Sequence, residues 1–187
     1  MPDIADRADN ALRFDRLFDG PPEWVFELWT RPENVKVWFA SSHGFRAEIE
    51  EYDVRPGGVW RLKTRKADIV EHPHGVFHEI VPPRRLVYSY RFLGTDFHST
   101  ISIDLSPHGQ KTRMLFCQTG FPEASSRDDH EGGWGVVWRM FGEVLAAQHG
   151  IGSAFPPFSP ERKSEVIRDL EAARKRFEEE REHTKSG

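Results

Sequence analysis

Residues 128–148 read DDHEGGWGVVWRMFGEVLAAQ, and their pattern is the clearest indication of the fold in this sequence. Apolar side chains recur there at intervals of three and four residues: Trp134, Val137, Trp138, Phe141, Val144 and Leu145. This spacing is typical of a long helix with one wide apolar stripe. Because such a stripe must be buried against another apolar surface, the segments that precede the helix have to provide one.

The preceding segments are mostly strand and turn. Residues 11–19 alternate apolar and polar side chains, which predicts a half-buried strand, and two short helices follow, the first opening near Pro22 and the second near Pro32. Glycine and proline then separate six further segments that we interpret as strands: 45–54, 58–65, 69–81, 84–93, 97–106 and 111–120. Short connections between successive strands favour an antiparallel meander.

The sequence therefore predicts an α+β helix-grip fold. A curved sheet of seven antiparallel strands should wrap around the long helix, with two short helices after the first strand. Because a helix laid across a strongly curved sheet does not fill it everywhere, we expect an internal apolar cavity. Residues 1–10 are expected to be a flexible N-terminus, 11–150 the domain, and 151–187 a linker followed by an appended, highly charged helix.

Composition limits the kinds of partner. A length of 187 residues fits one domain, and a net charge of −4 offers no field that would attract nucleic acid. No apolar run approaches the roughly 20 residues that span a bilayer, and the N-terminus has no apolar signal region. Cys117 is the single cysteine, which fits a reducing compartment. We therefore expect a cytoplasmic protein without nucleic-acid or membrane partners.

Several motifs, in order, resemble one family. They are RFDRLF (13–18), PEWVFELWT (22–30), Trp38-Phe39, DVRPGGVW (53–60), GVFHEIVPPRRLVY (75–88), Lys111-Thr112-Arg113 and Gly133-Trp134. Together they resemble proteins related to the activator of the ninety-kilodalton heat-shock-protein ATPase, within the START/Bet v-like (SRPBCC) superfamily. The resemblance covers residues 11–148 and implies the helix-grip fold. It leaves the function open, because such proteins include chaperone stimulators and binders of hydrophobic molecules, with cyclases and aromatases as distant relatives.

Aromatic side chains carry most of the functional signal. Six tryptophans and fourteen phenylalanines exceed what a minimal core needs, and such residues often line cavities that hold flat ligands. The candidate ligand-binding aromatics are Trp38, Trp60, Phe77, Phe97, Trp134 and Trp138. His43 and Glu79 are the candidate polar anchors, Glu79 because period two places it on the same face as Phe77. The alternatives are plain core packing for any of the aromatics, and an ion pair with a neighbouring arginine for Glu79.

The sequence gives little support for a metal site, a hydrolase triad or a cofactor-binding site. His72, His74 and His78 fall on one side of a strand, but Pro73 interrupts it and no zinc-site spacing is present, so we expect no metal. Nucleophile-elbow and phosphate-binding glycine motifs are missing from the sequence, and no cofactor is expected.

Three functions remain open. The first is a binding protein for a hydrophobic or aromatic small molecule. The second is a cyclase- or hydrolase-like enzyme that uses Glu79 or a pocket histidine as general base. The third is a chaperone-stimulating interaction module that uses the outer sheet and a helix over 158–187, and a homodimer is a further possible assembly.

Overall fold

The computed structural model describes residues 10–41 and 44–151, with the backbone alone for residues 40 and 41. Eight strands and three helices form within these residues. In chain order they are β1 (Leu12–Asp19), α1 (Pro22–Thr30), α2 (Pro32–Ser41), β2 (Arg46–Tyr52), β3 (Val59–Lys66), β4 (Ile69–Glu71), β5 (Pro73–Val81), β6 (Arg85–Phe92), β7 (His98–His108), β8 (Lys111–Thr119) and α3 (Ala124–His149). The predictions for His43, for the N-terminal nine residues and for 152–187 lie outside the described residues.

All strand pairs are antiparallel, and the main path of the sheet is β1-β8-β7-β6-β5-β3-β2. This arrangement confirms the predicted meander and helix-grip fold. The segment predicted as one strand over 69–81 forms two strands, because β3 is flanked by β4 at its end and by β5 at its start. Pro73, which has no backbone N–H to donate, begins the second of them.

Helix α3 packs its apolar stripe on the sheet, as the spacing predicts. Trp138, Phe141 and Leu145 are at most 2% exposed. Trp29 of α1 lies between the layers, with its ring centroid 4.7 Å from Trp38 and 5.2 Å from Phe141. The two short helices therefore close one side of the core, and α3 covers the sheet.

The later turns of α3 are buried on more than the sheet-facing side. Glu143 lies on the face opposite the stripe and is nevertheless 5% exposed, whereas Val136, two turns earlier on that face, is 46% exposed. The Oε1 of Glu143 has no hydrogen-bond partner among the described residues. Within the described part of the chain, this oxygen therefore has no donor that would offset its removal from water.

The turn between β2 and β3 uses its two glycines for different reasons. Gly57 adopts a φ of +81°, which favours glycine, and donates its N–H to the carbonyl of Phe77 over 2.7 Å. Gly58 has no room for a side chain, because a Cβ there would lie 2.0 Å from the carbonyl oxygen of Asp53. Arg55 forms an ion pair of 2.6 Å with Asp53 and braces the turn.

Two β-bulges alter which face a side chain occupies. One lies in β2 between Ile49 and Glu51, and the other lies in β5 between Phe77 and Glu79. In the second, Phe77 is opposite Tyr88 while Glu79 is opposite Val87, so one extra residue is inserted in β5. The prediction that Phe77 and Glu79 share a face is therefore wrong.

Candidate functional site

A cavity of about 320 Å³ lies between the first half of α3 and the part of the sheet formed by β3, β4 and β6. The region is left unfilled because the stripe of α3 makes its closest packing further along, where Trp138 and Phe141 are buried. The lining residues are Phe39, Phe45, Thr64, Glu71, Tyr90, Phe92, Asp129, His130, Gly133, Trp134 and Val137.

Five aromatic rings form most of the wall. Tyr90 and Phe92 lie on the same face of β6, with centroids 5.3 Å apart and planes at 86°. Phe39 of α2 lies 6.1 Å from Tyr90, and Phe45 and Trp134 line other sides. Rings at steep mutual angles present both faces and edges to the space between them, which suits a flat or apolar guest.

Polar groups are concentrated where the sheet meets the start of α3. Thr64 and Glu71 are directly paired between β3 and β4, so both side chains lie on the cavity face. Asp129 and His130 approach from α3. The Nδ1 of His130 lies 2.8 Å from the carbonyl oxygen of Ser126, which can only accept, so Nδ1 carries the hydrogen and the neutral ring keeps Nε2 as an acceptor.

The hydroxyls of two largely buried residues line the same space. Thr64 is 3% exposed and Tyr90 is 8% exposed, and neither hydroxyl forms a hydrogen bond with any residue that the structure describes. Burial, and after it the negative charge of Glu71, raise the pKa of Tyr90 well above its ordinary value. The phenol therefore stays protonated and can donate or accept.

A chain of hydrogen bonds fixes the wall behind the cavity. The indole Nε1 of Trp134 donates to Gln118 over 2.8 Å, and the Gln118 amide donates to the Ser99 hydroxyl over 2.9 Å. Ser99 in turn donates to the backbone carbonyl of Tyr90 over 3.2 Å. Two lining residues on different elements are thereby held in a defined geometry.

The predicted aromatics are distributed between cavity and core. Trp134 lines the cavity, and Phe97 lies behind the lining residue His130, stacked on it at 4.8 Å. Trp38, Trp60 and Phe77 instead surround a gap of about 10 Å³, too small for a ligand. Trp138 is 1% exposed and stacks on Trp134 at 4.9 Å, so it supports the wall from within the core.

Glu79 lies outside the cavity. The bulge turns it to the outer face, where its side chain is 48% exposed and pairs with Arg85 of β6 at 2.9 Å. Arg85 also contacts Asp104 at 2.6 Å, and the hydrogen bonds from Asp104 and Glu79 raise its pKa. The prediction of Glu79 as a polar anchor is wrong, and the ion-pair alternative describes its surroundings.

The three histidines predicted to lie on one side of a strand have different contacts. His72 lies 3.6 Å from Glu50, and His74 bonds the carbonyl oxygen of His72. His78 is the residue that the bulge in β5 inserts. Within residues 10–41 and 44–151, no three histidine, cysteine or acidic side chains are grouped so as to hold a metal ion.

Sequence reasoning missed the polar lining. Thr64 and Glu71 come together through a strand pairing that spacing along the chain does not reveal. A usable signal was present for His130, which lies four residues before Trp134 and hence on the same side of a helix. Asp129 is its immediate neighbour in sequence.

A comparison with protein families identifies the family to which the chain belongs. The family model described as "Activator of Hsp90 ATPase homolog 1-like protein" matches residues 19–146. The chain belongs to this family. The match confirms the resemblance drawn from the motifs, since it covers nearly the same segment.

Solved structures share the fold. Protein CV1439 from Chromobacterium violaceum is 23% identical with a TM-score of 0.68, covering 73% of this chain and 97% of its own. Protein NE0264 from Nitrosomonas europaea is 24% identical with a TM-score of 0.64, covering 79% of this chain and 99% of its own. The Mll3558 protein from Rhizobium loti is 26% identical with a TM-score of 0.59, covering 74% of this chain and 95% of its own.

Curated proteins give no match to the chain. No helix in the described part of the chain has both the length and the apolar character needed to cross a membrane.

Proposed function

We propose that this member of the Activator of Hsp90 ATPase homolog 1-like family is a cytoplasmic binding protein for a hydrophobic or aromatic small molecule. The observation that carries the proposal is the aromatic cavity of about 320 Å³ between α3 and the sheet. Its volume lies within the range of roughly 300–1,000 Å³ that is usual for small-ligand sites. Its lining combines ring faces with a few convergent polar groups, the composition that holds and orients such a ligand.

A cavity-filling substitution tests the site. Val137 lines the cavity, so Val137→Phe should occupy the space that a ligand needs. Val136, the preceding residue, is 46% exposed, and Val136→Phe makes the same change outside the cavity. Native mass spectrometry of the purified wild type should detect a bound small molecule, or a thermal-shift screen of aromatic and lipid-like compounds should give stabilisation that grows with concentration.

Binding should be lost in Val137→Phe and kept in Val136→Phe. Equal binding by both variants would place the ligand elsewhere. Wild-type protein that carries nothing and responds to no compound would count against the binding function altogether.

The enzyme alternative has one observation in its favour. His130 lines the cavity with Nε2 left as an acceptor, so it is a better general-base candidate than Glu79. Mass spectrometry of a bound compound before and after prolonged incubation tests this alternative. Conversion that His130→Gln abolishes while binding persists would support an enzyme.

The chaperone-stimulating alternative remains a prediction. It rests on the family description and on a proposed charged helix over 158–187. Measuring the ATPase rate of a purified ninety-kilodalton chaperone with the intact protein, and with a variant ending at residue 157, tests it directly. An unchanged rate with the intact protein would rule out stimulation of that chaperone.

A further inference from the structure

We infer that the cavity takes an organic cation, namely a protonated amine carried on an aromatic or apolar body. The inference rests on the proposed binding function and names the chemical class of the ligand. It is carried by features that line the same space: aromatic walls, two carboxylates that form no ion pair with the described residues, and the hydroxyls of two largely buried residues.

The carboxylates of the cavity differ from four acidic side chains on the outer face of the sheet. Four acidic side chains on the sheet form ion pairs: Asp15 with Arg113 at 2.6 Å, Asp19 with Lys111 at 2.7 Å, and Glu79 and Asp104 with Arg85 at 2.9 and 2.6 Å. Glu71 and Asp129 line the cavity, and neither forms an ion pair with any described residue. Within the described part of the chain, two carboxylates therefore face the space without a cationic partner.

One lysine lies beside the cavity, next to a lining residue. The Nζ of Lys66 lies 5.6 Å from the ring centroid of Phe45, a lining residue. Two carboxylates without an ion-pair partner among the described residues favour a positive guest over an anion at the polar end of the cavity.

The aromatic walls suit the same guest. A cation over the face of an aromatic ring is attracted by the electron density of that face. Tyr90 and Phe92 lie on the strand next to the carboxylate end, and Trp134 faces them from α3. An ammonium group beside Glu71 would therefore have ring faces and a carboxylate within one space.

The hydroxyls of Thr64 and Tyr90 provide an independent indication that the ligand is a cation. Thr64, paired with Glu71 in the sheet, and Tyr90, whose pKa is raised partly by Glu71, both line the cavity with unpartnered hydroxyls. A purely apolar guest would cover these hydroxyls without giving them a partner, which is costly. An ammonium group carries three N–H donors, and two hydroxyl oxygens and a carboxylate can accept them.

A matched set of three probes tests the charge of the ligand. Tryptamine, tryptophol and indoleacetate share an indole ring and carry an amine, an alcohol and a carboxylate. Isothermal titration calorimetry on the full chain should show tryptamine binding about tenfold more tightly than tryptophol, because hydrogen bonds to charged groups are the stronger ones. Indoleacetate should bind most weakly.

Variants then assign the preference to the carboxylates. Glu71→Gln and Asp129→Asn should each reduce the preference for tryptamine over tryptophol, and the double variant should abolish it. Glu131→Gln removes a carboxylate from the exposed surface of the same helix, outside the cavity lining, and is the matched control. Circular dichroism confirms that each variant is folded, which these partly or fully exposed positions permit.

The outcomes separate the two proposals. Equal binding of tryptamine and tryptophol, or a preference that survives the double variant, would overturn the cation inference and leave the binding function standing. Failure of all three probes to bind at millimolar concentration would overturn the cation inference, whereas the binding function is decided by the native mass spectrometry and the compound screen described above.

Discussion

The indole nitrogen of Trp134 lies 2.8 Å from the side-chain oxygen of Gln118, a residue with no exposed surface. The pair joins α3 to β8, and the amide of Gln118 continues to Ser99 on β7. The wall of the cavity is therefore set by a buried polar contact as well as by apolar packing.

Replacing Gln118 with methionine should destabilise the protein by about 1–3 kcal/mol, because the Trp134 N–H and the Ser99 hydroxyl would each lose a partner in the core. Urea unfolding measures the change. Thr119→Ala, at the next and exposed position of β8, should stay within about 0.5 kcal/mol of the wild type. An equally small effect at Gln118 would mean that water or repacking replaces the contact.

Replacing either of the two adjacent glycines of the β2–β3 turn with alanine should lower the stability of the protein, but by unequal amounts. Gly57→Ala meets no atom within 4 Å and should cost about 1 kcal/mol, the penalty of a left-handed backbone. Gly58→Ala places its Cβ 2.0 Å from the backbone oxygen of Asp53, so the turn must shift and the loss should be clearly larger. Thermal unfolding of the two variants compares them, and the reverse order would contradict this assignment.

Glu143→Gln should stabilise the protein by about 1 kcal/mol, since it removes a buried charge whose Oε1 has no partner among the described residues. Denaturant unfolding near neutral pH measures the gain. Glu131→Gln on the exposed surface of the same helix serves as control. A loss of stability at position 143 would show that the carboxylate is compensated in solution.

The burial of the three tyrosines predicts how the stability of the protein changes at alkaline pH. Burial raises the pKa of Tyr52, Tyr88 and Tyr90, which are all the tyrosines of the chain. Their unfolded pKa is about 10, so stability should be unaffected by them below about pH 10 and should fall as pH rises toward the folded values. Tyrosinate absorbance should therefore appear together with loss of near-ultraviolet circular dichroism. A tyrosine that ionises near pH 10 in the folded protein would contradict this.

Much of the fold follows from local patterns. The interval of three and four residues between Trp134 and Leu145 predicts α3, and glycine and proline predict most of the turns. What the patterns do not contain is the bulge at His78, because an inserted residue leaves the alternation of the letters unchanged while it reverses the faces that follow. That reversal turns Glu79 to the outer face, where the alternation alone predicts an inward side chain.

The site was less predictable than the fold. An aromatic residue on the inner face, such as Trp60 or Trp134, has the same sequence signature whether it fills the core or borders a void. The difference depends on how α3 lies across the sheet, which its own sequence does not specify. Glu71 and Thr64 are neighbours through strand pairing, and that relation exists only once the β3–β4 turn has formed.

The main path of the sheet ends in β1 on one side and β2 on the other. On β2, Glu48, Glu50 and Glu51 are ionisable, and the bulge between Ile49 and Glu51 breaks the regular ladder. Like charges and an interrupted backbone make such an edge a poor template for a strand from another molecule. We therefore expect concentrated solutions of this protein to resist edge-to-edge aggregation from that side, and a substitution that removes the glutamates of β2 to weaken this resistance.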